Sequence, residues 1–490
     1  MRSPIGTNVR ASSPVHPREL AARFMFAHRL FPWIAQCSKV VRNDRYVIGY
    51  ASGNFGKAIL LGSFDVTLLF LLTDIIGIAP GRVSQLMVLV LAGDLVFDLA
   101  AGLIAGKAER HGVGYRRLIT LCALPCALAF CAIYCLPLFR ITELAAVAAH
   151  ILFLRCVFAI IDVPHNSLLA RVTSDSHTRG RASGYRTIFS SAASVSVACV
   201  IGPLVHAAAE SAVPVRMAWL GAAGGLLFCG TLLLAAWSSK PAHFPAQPPP
   251  GPPSPPTLFP APDRLFAAMA AVALITGFAA PMFTKTLLYL CTYVLKKPEF
   301  AGRVLLTLAL SQMLGAMFWI ALVRRRDKST LLAMSHGVAA AGILLFAAAG
   351  ENQSALLACT VLIGIGYAGV FMLPWGILAD IIDFSEFRHR ERRETVSFAL
   401  ILVLLKGGGA AALATIGWTL GTLGYAPGME QPRLVVLGMK ALAFGVPAAG
   451  SGIAILVLRR LDIGHERHAR VRKVNRRRHD GAARCVEGSG

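Results

Sequence analysis

Asp94 and Asp98 stand four residues apart in LAGDLVFDLAAG, residues 91–102, inside a run apolar and long enough to cross a bilayer. A carboxylate at membrane depth costs about 2.5–3.5 kcal/mol on insertion scales, so two on one helix face require a compensating role. Like charges that close stay ionised together only when a cation lies between them; otherwise one takes up a proton. Either outcome is cation chemistry, and the spacing reads as an ion-coupling site. The plain alternative is an internal ion pair from these acids to another span. Asp162, in AIIDVPHNSL, is a third acid at depth, and Pro164 beside it removes a backbone donor and frees carbonyl oxygen nearby. Asp94, Asp98 and Asp162 are therefore the candidate cation ligands, and the candidate metal ligands if the ion is sodium. Lys57, Arg155, Arg186 and Lys406 are basic groups at membrane depth that can offset these acids, and Asp65 lies eight residues past Lys57. A charge facing lipid is costlier than one facing a polar interior, so these groups are expected to share one central cavity.

The elements that must hold them are hydrophobic. The 490-residue chain is 56% hydrophobic and 15% charged, with a mean hydropathy of +0.62, against roughly 25% charge in an ordinary soluble protein. The expected fold class is an all-α membrane protein of twelve transmembrane helices in two six-helix bundles. The spans bearing the acids and bases run over 46–75, 83–106, 142–170, 184–207, 355–382 and 395–421. The expected organisation is a basic tail at 1–45, a bundle at 46–237, a proline-rich linker at 238–264, a second bundle at 265–458 and a basic tail at 459–490. Proline cannot sustain a helix, so the linker reads as a semi-rigid polyproline spacer. The last tail, rich in arginine, is expected to be disordered.

The net charge of +23 raises the question of nucleic acid, but its location answers it. The positive charge sits in the tails and in every second loop, with Lys107, Arg110, Arg116 and Arg117 in one, Arg171, Arg179 and Arg181 in the next, then Arg324, Arg325, Arg326 and Lys328, and finally Arg388, Arg390, Arg392 and Arg393. The positive-inside rule puts these loops and both termini in the cytoplasm, which implies an integral inner-membrane protein. The expected partners are a small solute, a coupling cation and anionic lipid headgroups at the basic tails, with no nucleic acid, and the chain is expected to be a monomer. Asp380 and Asp383 end the tenth span as ILADIIDF, just before the Arg388–Arg393 cluster. With Arg392 and Arg393 they read as a cytoplasmic gate closed by ion pairs, the alternative being a solvated ion cluster. The 11 cysteines fall mostly in apolar runs, such as Cys122 and Cys126, and carry no CxxC or Cys/His pattern. No catalytic triad, phosphate-binding loop or metal-ligand spacing appears, so neither an enzyme nor a cofactor beyond a coupling proton or sodium ion is expected.

Several stretches together resemble one family. YASGNFGKAILLGSFDVTLLFLLTDIIG, GDLVFDLAAGLI, FAIIDVPHNSLLARVT with GYRTIFSS, and GILADIIDFSEF through ETVSFALILVLLKGGGAA are similar to the glycoside-pentoside-hexuronide cation symporters of the major facilitator superfamily. The resemblance implies that Asp94, Asp98 and Asp162 bind the coupling cation, and that Arg186 and Lys406 belong to the polar network between cation and sugar. It implies a substrate cavity lined by Lys57, Asp65, Asn166, Arg186 and Lys406. Two departures bear on the solute: melibiose permease, a member of that family, carries a carboxylate where this chain has Ala58 and a stacking tryptophan where it has Asn166. Two bear on the ion: the sodium-dependent pattern places an amide at Phe97 and a hydroxyl at Ala159, and losing both oxygens favours protons over sodium. The expected function is cation-coupled symport of a sugar, glycoside or related polar solute by alternating access. The alternatives are a lysophospholipid or other amphiphile carrier of the same fold, and a non-transporting membrane sensor.

Overall fold

The computed structural model describes residues 44–78, 80–173, 175–206, 213–240, 263–390, 392–425, 429–461 and 463–487. Most of the first tail and of the proline-rich linker lies outside the described residues, as does the side chain of Asp65. Residues from Val47 onward form one unit, and every element among its described residues is helical.

In the first half, a short helix Arg45–Ala51 leads into α1 (Gly53–Phe70), followed by α2 (Pro80–Arg110), α3 (Tyr115–Cys135), α4 (Leu144–Val172), α5 (Ser176–His206) and α6 (Val213–Ser238). The second half comprises α7 (Arg264–Val294), α8 (Phe300–Leu322), α9 (Lys328–Ala348), α10 (Gln353–His389), α11 (Glu394–Thr422) and α12 (Arg433–Leu458). A further helix, α13 (His465–Glu487), follows. Among the described residues, ten helices are long and apolar enough on composition alone to cross a membrane; α1 and α5 complete the twelve. Lipid offers no hydrogen-bond partners, so only segments that satisfy their own backbone can span it.

Several helices outrun the apolar stretches that announce them. Hydropathy marks the part of a helix in lipid, whereas the hydrogen-bond ladder runs on until a cap stops it. The extra turns of α5 start at Asp175, which accepts bonds from Thr178 N at 2.9 Å and Thr178 Oγ1 at 2.6 Å. Burial pushes this carboxyl's pKa up, but the two bonds outweigh it and hold the group below its ordinary value. At the far end of α10, Arg390 adopts a left-handed φ of 59° and donates to Glu386 O.

The two halves repeat one packing scheme. In the first, α1 packs on α5 and α6, α3 on α4 and α6, and α2 on α4; in the second, α7 packs on α11 and α12, α9 on α10 and α12, and α8 on α10. The first helices of the two halves also fail in the same way. α1 passes into a π-helical turn at Leu71–Ile75, with Ile76 N bonded to Leu71 O and Ile78 N to Leu72 O. The end of α7 is a π-helical turn at Leu290–Val294, with Leu295 N bonded to Leu290 O and Lys297 N to Cys291 O. The residue between the two bonded amides, Gly77 or Lys296, has positive φ in each case.

The halves meet mainly at two seams, where α2 lies on α11 and where α5 lies on α8 and α10. Both seams close through glycine near the basic loops: a Cβ on Gly102 would stand 2.8 Å from Ala399 Cβ, and one on Gly184 would stand 2.2 Å from Ile320 Cγ1. Substituting Gly184 with alanine is expected to cost about 1–3 kcal/mol through overpacking. Thermal unfolding of the purified variant checks this, and an unchanged midpoint would mean that the α5–α8 seam is not as tight as described.

The arginine-rich C-terminal segment corrects an expectation: it is helical rather than disordered. His468, Val471 and Asn475, spaced i, i+3 and i+7, form a buried stripe. The helix start is held by Asp327, whose Oδ1 accepts from His465 N at 2.8 Å. The His465 ring stacks on His177 at 3.9 Å, and burial draws its pKa below the usual histidine value.

Candidate functional site

A network of charged side chains lies in the first half and is joined to the second through Lys406. Lys57 on α1 donates to Asp162 Oδ1 on α4 at 2.7 Å, and Asn166, one turn further along α4, donates to the same oxygen at 3.1 Å. Arg155 on α4 grips both oxygens of Asp94 on α2 through Nε and Nη2. Lys406 on α11 places Nζ 2.6 Å from Asp98 Oδ2 on α2, an ion pair that crosses from one half to the other. Its approach is not aligned for a hydrogen bond, and neither oxygen of Asp98, a fully buried residue, has an aligned donor among the described residues. Lys406 is the most accessible of these six charges, with its side chain 24% exposed.

The three acids expected to form one cation site are thus divided among three cations. Four residues apart on α2, Asp94 and Asp98 turn to different partners, and the alternative of ion pairs to other spans is what the geometry displays. Among the described residues, no three His, Cys, Asp or Glu side chains converge as a metal-binding group. Phe97 and Ala159, where the resemblance would place oxygen ligands, lie together in an apolar cluster with Ala101, Val163, Ala399 and Leu402.

Arg186 on α5 stands apart from these pairs. Its Nε donates to Asn54 Oδ1 on α1 at 3.0 Å and its Nη2 to Asn166 Oδ1, while Nη1 is buried with no hydrogen-bond partner among the described residues. Its guanidinium lies 5.1 Å from the ring centroid of Trp375 on α10, which stacks in turn on Phe398. Lys57, Asn166, Arg186 and Lys406 are therefore all in or beside the network. Sequence reasoning missed Asn54 and Trp375; the pattern Pro374-Trp375-Gly376 at the middle of a long apolar span was the available signal.

The second charged cluster closes the end of the molecule where the basic loops gather. Arg179, in the first turn of α5 and 2% exposed, reaches Asp380 Oδ1 at 3.0 Å and Asp383 Oδ2 at 2.7 Å on α10. Lys328 lies 2.6 Å from Asp380 Oδ2, and Ser176 Oγ donates to the same oxygen at 2.7 Å. Asp383 also meets Arg392 at 2.9 Å and His468 of α13 at 2.8 Å, and Asn475 donates to its backbone carbonyl. Arg171 on α4 joins Glu109 at 2.6 Å to Glu394 on α11 at 2.7 Å. Of the gate residues expected from sequence, Asp380, Asp383 and Arg392 are central here, whereas Arg393 occupies the N-cap of α11. The expected facing-loop partners are mostly helix-end residues instead, Arg179 and Lys328 above all.

Both the fold and the chain have counterparts among known proteins. The fold is similar to the crystal structure of the major facilitator superfamily transporter FucP in its outward conformation, with a TM-score of 0.62 at 16% identity, covering 84% of this chain and 97% of that one. The inner membrane symporter YicJ of Escherichia coli (strain K12) is 23% identical over 384 residues, 77% of this chain and 82% of its own length. The glucuronide carrier protein homolog of the same organism is 22% identical over 423 residues, 84% of this chain and 91% of its own. Residues 49–465 match the MFS/sugar transport protein family, and the chain belongs to that family as a multi-pass membrane transporter of the major facilitator superfamily.

Proposed function

We propose that the protein is a secondary active symporter that moves a glycoside-like solute bearing an anionic group, together with a cation, across the inner membrane by alternating access. The observation that carries the choice of solute is Arg186. It is a buried guanidinium with one unpartnered nitrogen, no carboxylate partner among the described residues, and an indole ring beside it. A carboxylate or other anion satisfies the free N–H groups, and Trp375 offers a flat apolar face to a sugar ring. Trp375 thereby supplies, from the opposite half, the kind of surface that α4 lacks at Asn166. The name of the glucuronide carrier homolog is in keeping with an acidic sugar. Asp380, Asp383 and Arg392, with Arg179, act in this reading as the cytoplasmic gate, the basic loops facing the cytoplasm.

The test is a thermal-shift and uptake screen of the reconstituted protein against uronides, matched neutral glycosides and lysolipids. Uronides are expected to stabilise the wild type, and Arg186→Gln is expected to weaken that effect about 10–100-fold in concentration, as loss of a charge-assisted bond of about 1.5–3 kcal/mol requires. Stabilisation by neutral glycosides alone would remove the anionic group from the reading, and stabilisation by lysolipids alone would replace the solute with an amphiphile.

A further inference from the structure

Sodium, a hard cation, requires several oxygen ligands, and carboxylates supply them only when they are not already neutralised. Three observations on α2 and α4 bear on whether such a site fits this chain. Both oxygens of Asp94 are taken by the guanidinium of Arg155, which sits seven residues before Asp162 on the same face of α4. The remaining two acids are matched by Lys57 and Lys406. The surface linking them is apolar, since Phe97 and Ala159 pack with Ala101 and Val163. A sodium ion at Asp94 would face a fixed positive charge on one side and carbon on another, so the residues present do not fit it.

We propose that Arg155 is the ion-selectivity residue of this transporter, a tethered cation that holds the place of sodium on Asp94 and leaves the protein without a sodium site. The proposal rests on the symporter reading for its meaning but is tested by ion binding alone. Arg155 is not a lone surface arginine placed by chance: its side chain is 13% exposed, and its guanidinium also lies 5.9 Å from the ring centroid of Phe64 on α1. A bidentate guanidinium–carboxylate pair in a low-dielectric interior is geometrically specific, and a mobile ion does not displace it at ordinary concentrations.

The experiment titrates the purified full-length protein with sodium chloride against choline chloride, by calorimetry and by thermal unfolding, with no solute present. Wild type is expected to show no saturable sodium signal. Arg155→Gln frees Asp94 and is expected to unfold earlier in choline and to recover by about 3 °C when sodium replaces it. The combined variant Arg155→Gln, Phe97→Asn, Ala159→Thr restores two oxygens and is expected to bind sodium at least about tenfold more tightly than the single variant. Saturable binding of sodium to wild type overturns the proposal whether or not either variant folds. Folded variants that both ignore sodium overturn it as well, because Arg155 is then not what excludes the ion. Failure of wild type to transport any solute would sink the symporter reading while leaving the binding result standing.

Discussion

Replacing Arg179 with alanine is expected to open the charged end of the molecule and to raise the reactivity of a cysteine placed at Ala399 by about 100-fold. Arg179 brings the first half onto two carboxylates of α10 at once and also donates to Ala379 O at 2.9 Å. Removing one partner of a buried ion pair costs about 3–5 kcal/mol, because the charge left behind stays buried. Here the molecule has a way to relieve that cost. Asp380 and Asp383 become hydrated if the two halves part, so the penalty falls on the closed state and not on folding as a whole. Lys328, Arg392 and His468 still hold Asp380 and Asp383, but all three belong to the second half or follow it, and they do not replace the bridge. Ala399 is 1% exposed against Gly102 on α2, so a thiol there reports parting of the α2–α11 seam. The measurement is the rate of modification by a maleimide in a background free of the native cysteines. A rate equal to that of the parent protein would show that Arg179 does not hold the halves together.

Asp98→Asn is expected to abolish accumulation of solute against its gradient while leaving exchange of solute intact. Asp98 is wholly buried, and among the described residues its close charged partner is Lys406, contributed by the other half. The pair therefore exists only while the halves are joined in this arrangement. In the opposite arrangement Asp98 needs another counter-charge, and a cation taken from solution is the simplest one. An amide needs none, so the variant crosses between arrangements without an ion, and the ratio of internal to external solute falls to one. Unpairing Lys406 also costs about 3–5 kcal/mol in the form described, which is why expression and unfolding temperature belong in the same experiment. Proteoliposomes with imposed proton or sodium gradients, loaded with the solute that the screen identifies, separate accumulation from counterflow. Full accumulation by the variant would take Asp98 out of coupling.

The parts of this arrangement that are legible in the sequence share a physical reason. Each span carries its own hydrogen bonds and its own hydrophobicity, so twelve helices and the break after Ser238 can be read locally. Buried charges are few enough to be noticed singly, which is how Lys57, Asp162, Arg186 and Lys406 stand out. Pairing is not local. Lys57 and Asp162 are 105 positions apart and Arg179 and Asp383 are 204, so nothing in either segment names its partner. Arg179 reads in the sequence as one more loop charge and is buried only because α5 starts earlier than its apolar stretch. The terminal helix is hidden by composition: its arginines suggest a solvated tail, and the three-residue stripe of His468, Val471 and Asn475 is a weak signal among them.

The π-helical turns that end the first helix of each half bear on how alike the two halves are. A fifth-residue bond is rare, and it interrupts a ladder that would otherwise close at every fourth residue. Besides the turn at Ala441–Gly445, it occurs twice with the same pair of amides bonded, the same intervening positive φ and the same place in a repeated packing scheme. The two halves are thus alike in a detail of the backbone as well as in the order of their packing. Glycine at 77 and lysine at 296 show that quite different side chains meet the same backbone requirement. The repeat is one of main-chain geometry that the letters of the sequence do not display.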